Sequence, residues 1–228
     1  MVYSPYEQQI WFSIKNWCSN EYGIAGLMGN LYAESGLIFG RCENDFTADY
    51  SPSQVYTQKL NSGQVTRDQF RYNSVPPQTS GYGPGYGLAQ WTFYTRKYAY
   101  WDYYNEGSHG QAGSDTFELW FLEAEITGLL TEYNYLSVYS AMQSATTVRQ
   151  ASDVVLVQFE NPYDQSEAVK ILRASYGQAL YDEYAGSDPP PPPPPQTIPV
   201  WLMWYFTHRT GQHGRIKPRT AGRKDVIF

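Results

Sequence analysis

Seven consecutive prolines, Pro189–Pro195, divide the chain. Proline has no backbone N–H and a fixed φ, so such a run can be neither helix interior nor central strand; it forms a stiff, extended polyproline II spacer. Three parts follow from it: residues 1–187 as one compact domain, 188–199 as the linker, and 200–228 as a tail. A domain of that length is large enough to bury its own core. The tail opens on Val200-Trp201-Leu202-Met203-Trp204-Tyr205-Phe206, an apolar aromatic patch too short to span a bilayer, and continues into a basic stretch. An exposed patch of this kind calls for a cover, and the expectation is docking of residues 200–228 onto a partner protein.

Charge separates the parts further. Of 16 Lys and Arg and 22 Asp and Glu, six basic residues and one acid lie beyond residue 195, so residues 1–195 carry −11 and the rest +5. An acidic body lacks the clustered Lys and Arg that phosphate neutralisation needs, so nucleic acid is not an expected partner. With three His and two Cys in the chain, and only His109 outside the tail, a Cys/His zinc site has too few ligands, and a Ser-His-Asp or Cys-His site would depend on one histidine in a Gly-rich loop. No metal and no cofactor is implied. Cys18 and Cys42 can pair in an oxidising compartment or remain two buried thiols. No transmembrane segment and no Sec-type signal peptide is read from the sequence.

Helical patterns dominate the body. Ser4-Pro5-Tyr6-Glu7 carries a cap, a first-turn proline and a glutamate three residues after the cap, followed by Tyr6, Ile10, Ile14 and Trp17 at helical spacing. A second helix runs from Glu21 to about Glu34, with Ile24, Leu27, Met28 and Leu31 as its stripe and Gly36 as its stop. Residues 37–85 are polar and turn-rich and predict short helices, loops or a small hairpin. Further helices are predicted over Thr92–Asn105, over Asp115–Tyr133 behind an Asp115/Glu118 capping box, over about Thr147–Glu160, and over Asp164–Tyr184. The fold class is mainly α.

Two features carry chemistry. Glu34 lies on the shoulder of the buried face at the C-terminal end of its helix, where partial desolvation and the negative end of the helix dipole both favour a protonated carboxyl. A general acid needs that combination. The second feature is Gly81-Tyr82-Gly83-Pro84-Gly85-Tyr86-Gly87-Leu88-Ala89-Gln90-Trp91-Thr92. Its glycines let backbone approach a ligand closely, and Tyr86, Gln90 and Trp91 supply the stacking and hydrogen-bonding groups that hold a sugar. It lacks the phosphate-loop pattern.

Ile24-Ala25-Gly26-Leu27-Met28-Gly29-Asn30-Leu31-Tyr32-Ala33-Glu34-Ser35-Gly36-Leu37, followed by Gly85-Tyr86-Gly87-Leu88-Ala89-Gln90-Trp91-Thr92, resembles the phage tail-type lysozyme family, related to the lytic transglycosylase fold. Phe159-Glu160-Asn161-Pro162 and Arg173-Ala174-Ser175-Tyr176-Gly177-Gln178 are similar to its C-terminal helices. The resemblance covers about residues 8–185. It implies a lysozyme-like domain, mainly α with few short strands, that cleaves the β-1,4 glycan strands of bacterial peptidoglycan. Glu34 would be the catalytic acid, with Ser35, Tyr86, Gly87, Leu88, Ala89, Gln90 and Trp91 on the saccharide cleft. The second carboxylate is open among Asp45, Asp49 and Asp68, with Asp49 preferred. A lytic transglycosylase with Glu34 acting alone, or a non-catalytic glycan-binding tail component, are the alternatives. The implied location is the phage virion tail acting at the host wall, or the host cytoplasm before lysis, with the tail residues 200–228 on a virion protein.

Overall fold

Residues 23–31 are buried without a break, and the helix that carries them, α2 (Glu21–Ser35), is the axis of the domain. The computed structural model describes residues 4–45, 47–72, 85–130 and 135–189. Residues 190–228, which hold most of the proline run and the whole tail, and Gly81–Pro84 of the glycine-rich segment lie outside the described residues. A helix apolar on all sides is a core helix, surrounded by other elements. Asn20 caps α2 by accepting the Tyr22 N–H at 3.0 Å, and its amide holds the Gln143 and Ala145 carbonyls. Gly36 ends the helix in the left-handed region at φ 66°.

Around this axis the described residues form α1 (Glu7–Lys15), α3 (Ser51–Asn61), α4 (Arg67–Tyr72), α5 (Tyr94–Asn105), α6 (Asp115–Thr127), α7 (Leu136–Ser144), α8 (Val148–Val154) and α9 (Glu167–Tyr184). A π-helical turn, Val155–Glu160, continues α8 directly and stops at Asn161, φ 47°. The domain is mainly helical. The short strands implied by the family resemblance do not form among the described residues; two isolated antiparallel bridges, Cys42 with Tyr86 and Tyr86 with Trp91, stand in their place.

Three glycines explain how α2 accepts neighbours so closely. A Cβ on Gly23 would lie 2.4 Å from the Met142 carbonyl oxygen of α7, one on Gly26 2.5 Å from Ala151 Cβ of α8, and one on Gly29 2.5 Å from the Arg173 carbonyl oxygen of α9. Gly177 of α9 returns the contact, a Cβ there falling 2.5 Å from the Ala25 carbonyl oxygen. At Gly23, Gly29 and Gly177 backbone thus meets backbone with no side chain between, and at Gly26 the Ala151 methyl is the nearest atom.

Local signals place most elements and mis-set some ends. The cap of α6 is Ser114, whose hydroxyl accepts the Phe117 N–H, so Glu118 is a buried side chain and not the reciprocal partner of a capping box. The helix stops at Gly128, φ 76°, short of Tyr133. α7 has no side-chain cap and was not predicted. Ser4 receives the Tyr6 N–H and donates to the Leu37 carbonyl, so it fixes the entry turn while α1 itself begins at Glu7. Cys18 and Cys42 are both buried and are not joined in a disulfide.

Two stability predictions follow from this packing. Gly29→Ala forces α9 from α2, and overpacking of a tight contact costs about 1–3 kcal/mol; the melting temperature should fall by several degrees. Glu7 is buried with Oε1 accepting no hydrogen bond. Burial pushes its carboxyl up to about 7, against a hydrogen bond from the Ser4 backbone. The folded state therefore binds this proton more tightly than the unfolded chain, and the stability so gained is present below the unfolded carboxylate range and lost as pH rises through about 7. Melting temperature should decline between pH 5 and 8, and the decline should be smaller in Glu7→Gln.

Candidate active site

Glu34 sits where α2 leaves the core, its side chain 21% exposed. Arg173 of α9, itself nearly buried, places Nη2 2.6 Å from Glu34 Oε1, and its Nη1 donates to Asn30 Oδ1 at 3.3 Å. The contact depends on the close α2–α9 approach at Gly29 and Gly177, which brings the Arg173 backbone against α2. Glu34 lines a cavity of about 400 Å³ together with Tyr32, Arg41, Glu43, Asn44 and Gln90. A larger cavity of about 950 Å³ shares Tyr32, Gly36 and Arg41 with it and adds Tyr6, Phe39, Tyr50, Gln54 and Gln58. The two adjoin as one cleft whose walls are aromatic, amide and hydroxyl groups with few charges. Tyr6 and Phe39 meet edge to face at 5.0 Å, and the Arg41 guanidinium lies 4.9 Å over the Tyr50 ring.

The part of the wall that carries Glu43 and Gln90 is built by two loops stitched together. Glu43 N–H donates to the Gly85 carbonyl, and Gly85 N–H donates to Glu43 Oε2, both at 2.8 Å. Gly87 N–H reaches the Arg41 carbonyl at 2.8 Å. Residues 86–91 fold back on themselves, Trp91 N–H donating to the Tyr86 carbonyl at 3.0 Å, with Gly87 at φ 80° and Gln90 at φ 45°. Gln90 Nε2 then holds the Arg41 and Gly87 carbonyls, both at 2.9 Å. Glu43 and Gln90 are thereby presented to the same space as Glu34.

The residues predicted for the site separate into two groups. Glu34 and Gln90 come together on the cavity. Tyr86, Leu88, Ala89 and Trp91 are packed in the core, because the same fold-back that exposes Gln90 turns its neighbours inward. The Trp91 indole donates to Glu125 Oε2 at 2.7 Å, and the Tyr86 hydroxyl pairs with Thr57 Oγ1 at 2.6 Å. Gly87 is buried against Glu118, which fills the place a Cβ would take. Ser35 is buried too, its hydroxyl bonded back to the Leu31 carbonyl. Asp49 is exposed and lines neither cavity; its Oδ1 accepts the Ser51 N–H at the start of α3. Asp45 accepts both the N–H and the hydroxyl of Thr47 and of Ser53; burial would raise its carboxyl, but these bonds hold it below the usual range. Asp68 of α4 takes the Tyr98 hydroxyl. Glu43 carried no signal in the sequence: it stands in a loop without periodicity, and only the pairing with Gly85 brings it to the cavity. His109 lies stacked on Trp120 with ring centroids 3.6 Å apart.

Among the described residues no group of three or more His, Cys, Asp and Glu is arranged to hold a metal ion, and no helix is long and apolar enough to cross a membrane. A mainly helical domain that delivers a glutamate from a buried helix to the wall of a polar cleft has the architecture of a lysozyme-like hydrolase. The chain belongs to the phage tail lysozyme family, whose sequence profile matches residues 6–184, and it is a phage-associated peptidoglycan hydrolase of that general kind. No curated protein sequence matches it.

Core placement of Trp91 gives a sharp expectation. Trp91→Ala should lower stability by about 3–5 kcal/mol, whereas Gln90→Ala, which removes two hydrogen bonds to loop carbonyls, should cost less, about 1–2 kcal/mol, and raise KM. Calorimetry beside wall-cleavage kinetics separates the two.

Proposed function

We propose that this protein is a peptidoglycan glycosidase in which Glu34 is the general acid for cleavage of β-1,4 glycan strands. The observation that carries the reading is the cavity itself: Glu34 lines its wall with Glu43 and Gln90, beside a cleft of aromatic and polar side chains in which Arg41 and Asp115 are the charged groups. The size falls in the range of small-ligand sites, and the composition suits sugar rings, which present apolar faces and hydroxyl edges. Glu34 protonates the leaving glycosidic oxygen. Glu43, fixed by the Gly85 N–H, is the second carboxylate, in preference to Asp49, and acts on water or on the sugar across the cavity. A glycosidase with two carboxylates yields reducing ends. A lytic transglycosylase using Glu34 first as acid and then as base would leave anhydro-muramic ends.

Turbidity loss of purified cell walls, with released fragments analysed by mass spectrometry, tests the reading. Glu34→Gln should lower cleavage by about 10²–10⁴-fold with an unchanged circular dichroism spectrum, and the wild-type products should carry reducing ends. Full activity in Glu34→Gln would remove Glu34 from the mechanism, and anhydro ends would replace hydrolysis by transglycosylation.

The domain organisation supports a further part of the same reading. Residues 188–199 act as a stiff spacer and residues 200–228 dock the enzyme onto a virion component, which places the lysozyme domain at the host wall. Residues 1–188 alone should keep wall cleavage and lose association with particles; co-purification of the truncated protein with assembled particles would sink this assignment.

A further inference from the structure

Arg41 is the one cation lining either cavity among the described residues, and none of their carboxylates forms an ion pair with it. Neutral groups hold its guanidinium. Nη1 donates to the Ser35 carbonyl at 2.8 Å, Nη2 donates to the Asp45 carbonyl at 3.0 Å, and the centre of the group lies 4.9 Å from the Tyr50 ring centroid. Gly36 makes room for it, since a Cβ there would lie 3.0 Å from Arg41 Nη1. The carboxylates nearby have partners of their own. Glu34 is on Arg173, Glu43 accepts the Gly85 N–H, Asp45 takes the Thr47 and Ser53 groups, and Asp115 accepts from the Gln9 amide. A guanidinium has five N–H donors, so Arg41 keeps donors beyond the two in use. Its charge stands where the cavities join, because Tyr32, Gly36 and Arg41 line both.

An arginine pairs with a carboxylate by charge and by its fork of donors, and gains far less from a neutral sugar hydroxyl. A strand of plain N-acetyl sugars carries no carboxylate. In peptidoglycan, alternate sugars carry a lactyl ether. Its carboxyl is free in a stripped strand and amide-linked to a peptide, with carboxylates of its own, in an intact one. We infer that Arg41 is a specificity-determining residue that binds a carboxylate on the lactyl branch of the glycan, so that the cleft selects acidic strands over uncharged ones. Glu34 and Glu43 make the smaller cavity unfavourable to an anion, which leaves the branch to the larger one, on the side of Tyr50. Residues 1–195 carry −11, so the body as a whole repels such a ligand and the selection is local to this one guanidinium.

The inference rests on the glycan-cleaving reading of the cleft, and a binding measurement tests it apart from cleavage. The full chain is titrated calorimetrically with three probes: chitobiose, which is uncharged; the N-acetylglucosamine–N-acetylmuramic acid disaccharide, with a free lactyl carboxylate; and the same disaccharide bearing a stem peptide. At low salt at least one acidic probe should bind about tenfold or more tighter than chitobiose. The preference should shrink at about 1 M salt, where the Debye length is about 3 Å. Whichever acidic probe shows it identifies the source of the carboxylate. Arg41→Met should abolish the preference while changing chitobiose binding far less, and Arg41→Lys, which keeps the charge, should retain part of it. Equal binding of all three probes by the wild-type protein overturns the inference without need of a variant. So does a loss in Arg41→Met that falls equally on chitobiose, which is the mark of a residue that only braces the loop through Ser35 and Asp45. An acidic preference that depends on Arg41 beside a fully active Glu34→Gln would keep this site and remove the catalytic reading; no preference beside an inactive Glu34→Gln would do the reverse.

Discussion

Glu118 is the interaction on which the cleft depends. From the interior of α6 its carboxyl accepts the Gly40 N–H at 3.1 Å, the Leu88 N–H at 2.8 Å and the Tyr100 hydroxyl at 2.9 Å. One side chain thus sets the register of the two loops that carry Arg41, Glu43 and Gln90, and ties both to α5. Burial pushes the carboxyl up to about 8 even against those three bonds. Gly87 completes the arrangement, since a Cβ there would lie 2.5 Å from Glu118 Oε1. A buried carboxyl surrounded by donors is costly to create and costly to disturb, which makes it a rigid support.

The wall that carries Glu34 is set by backbone contact. Gly29 and Gly177 let α2 and α9 touch main chain to main chain, and that spacing puts the Arg173 guanidinium on the Glu34 carboxylate. Two kinds of rigidity therefore meet at the cavity: polar convergence behind the loops, and the absence of side chains between the helices. Between them, Glu34 and Glu43 are presented by elements that have little freedom to shift.

The sequence revealed what local rules control. The helix over Glu21–Glu34, its stop at Gly36 and the half-exposed place of Glu34 follow from periodicity and a glycine, and the structure reproduces them, whereas the expected stripe widens to burial on every side over residues 23–31. The family match over residues 6–184 agrees with the motifs around Glu34 and Gln90. Spatial pairing was out of reach. Arg173 and Glu43 lie in segments whose own patterns give no hint of Glu34, and only folding brings them to it. Tyr86 and Trp91 read in the sequence as a sugar platform; in the structure they lock edge-on with Tyr100, Phe70 and Phe121 in a packed core, and their polar atoms are met by Thr57 and Glu125. A polar handle on an aromatic ring serves a buried partner as readily as a ligand.

The π-helical turn at Val155–Glu160 has a consequence for how this family member could be altered. Successive residues on an α-helix differ by about 100° around the axis, so a wider turn changes the azimuth of everything that follows it. Deleting one residue there would give a more regular helix with better-aligned backbone bonds, yet it would turn Phe159 out of the core it packs into and carry Asn161 with it. A straighter α8 would be locally better folded and wrongly aimed. The irregular turn is best understood as a sighting adjustment, held in place by Val155, Leu156 and Phe159 packed into the core.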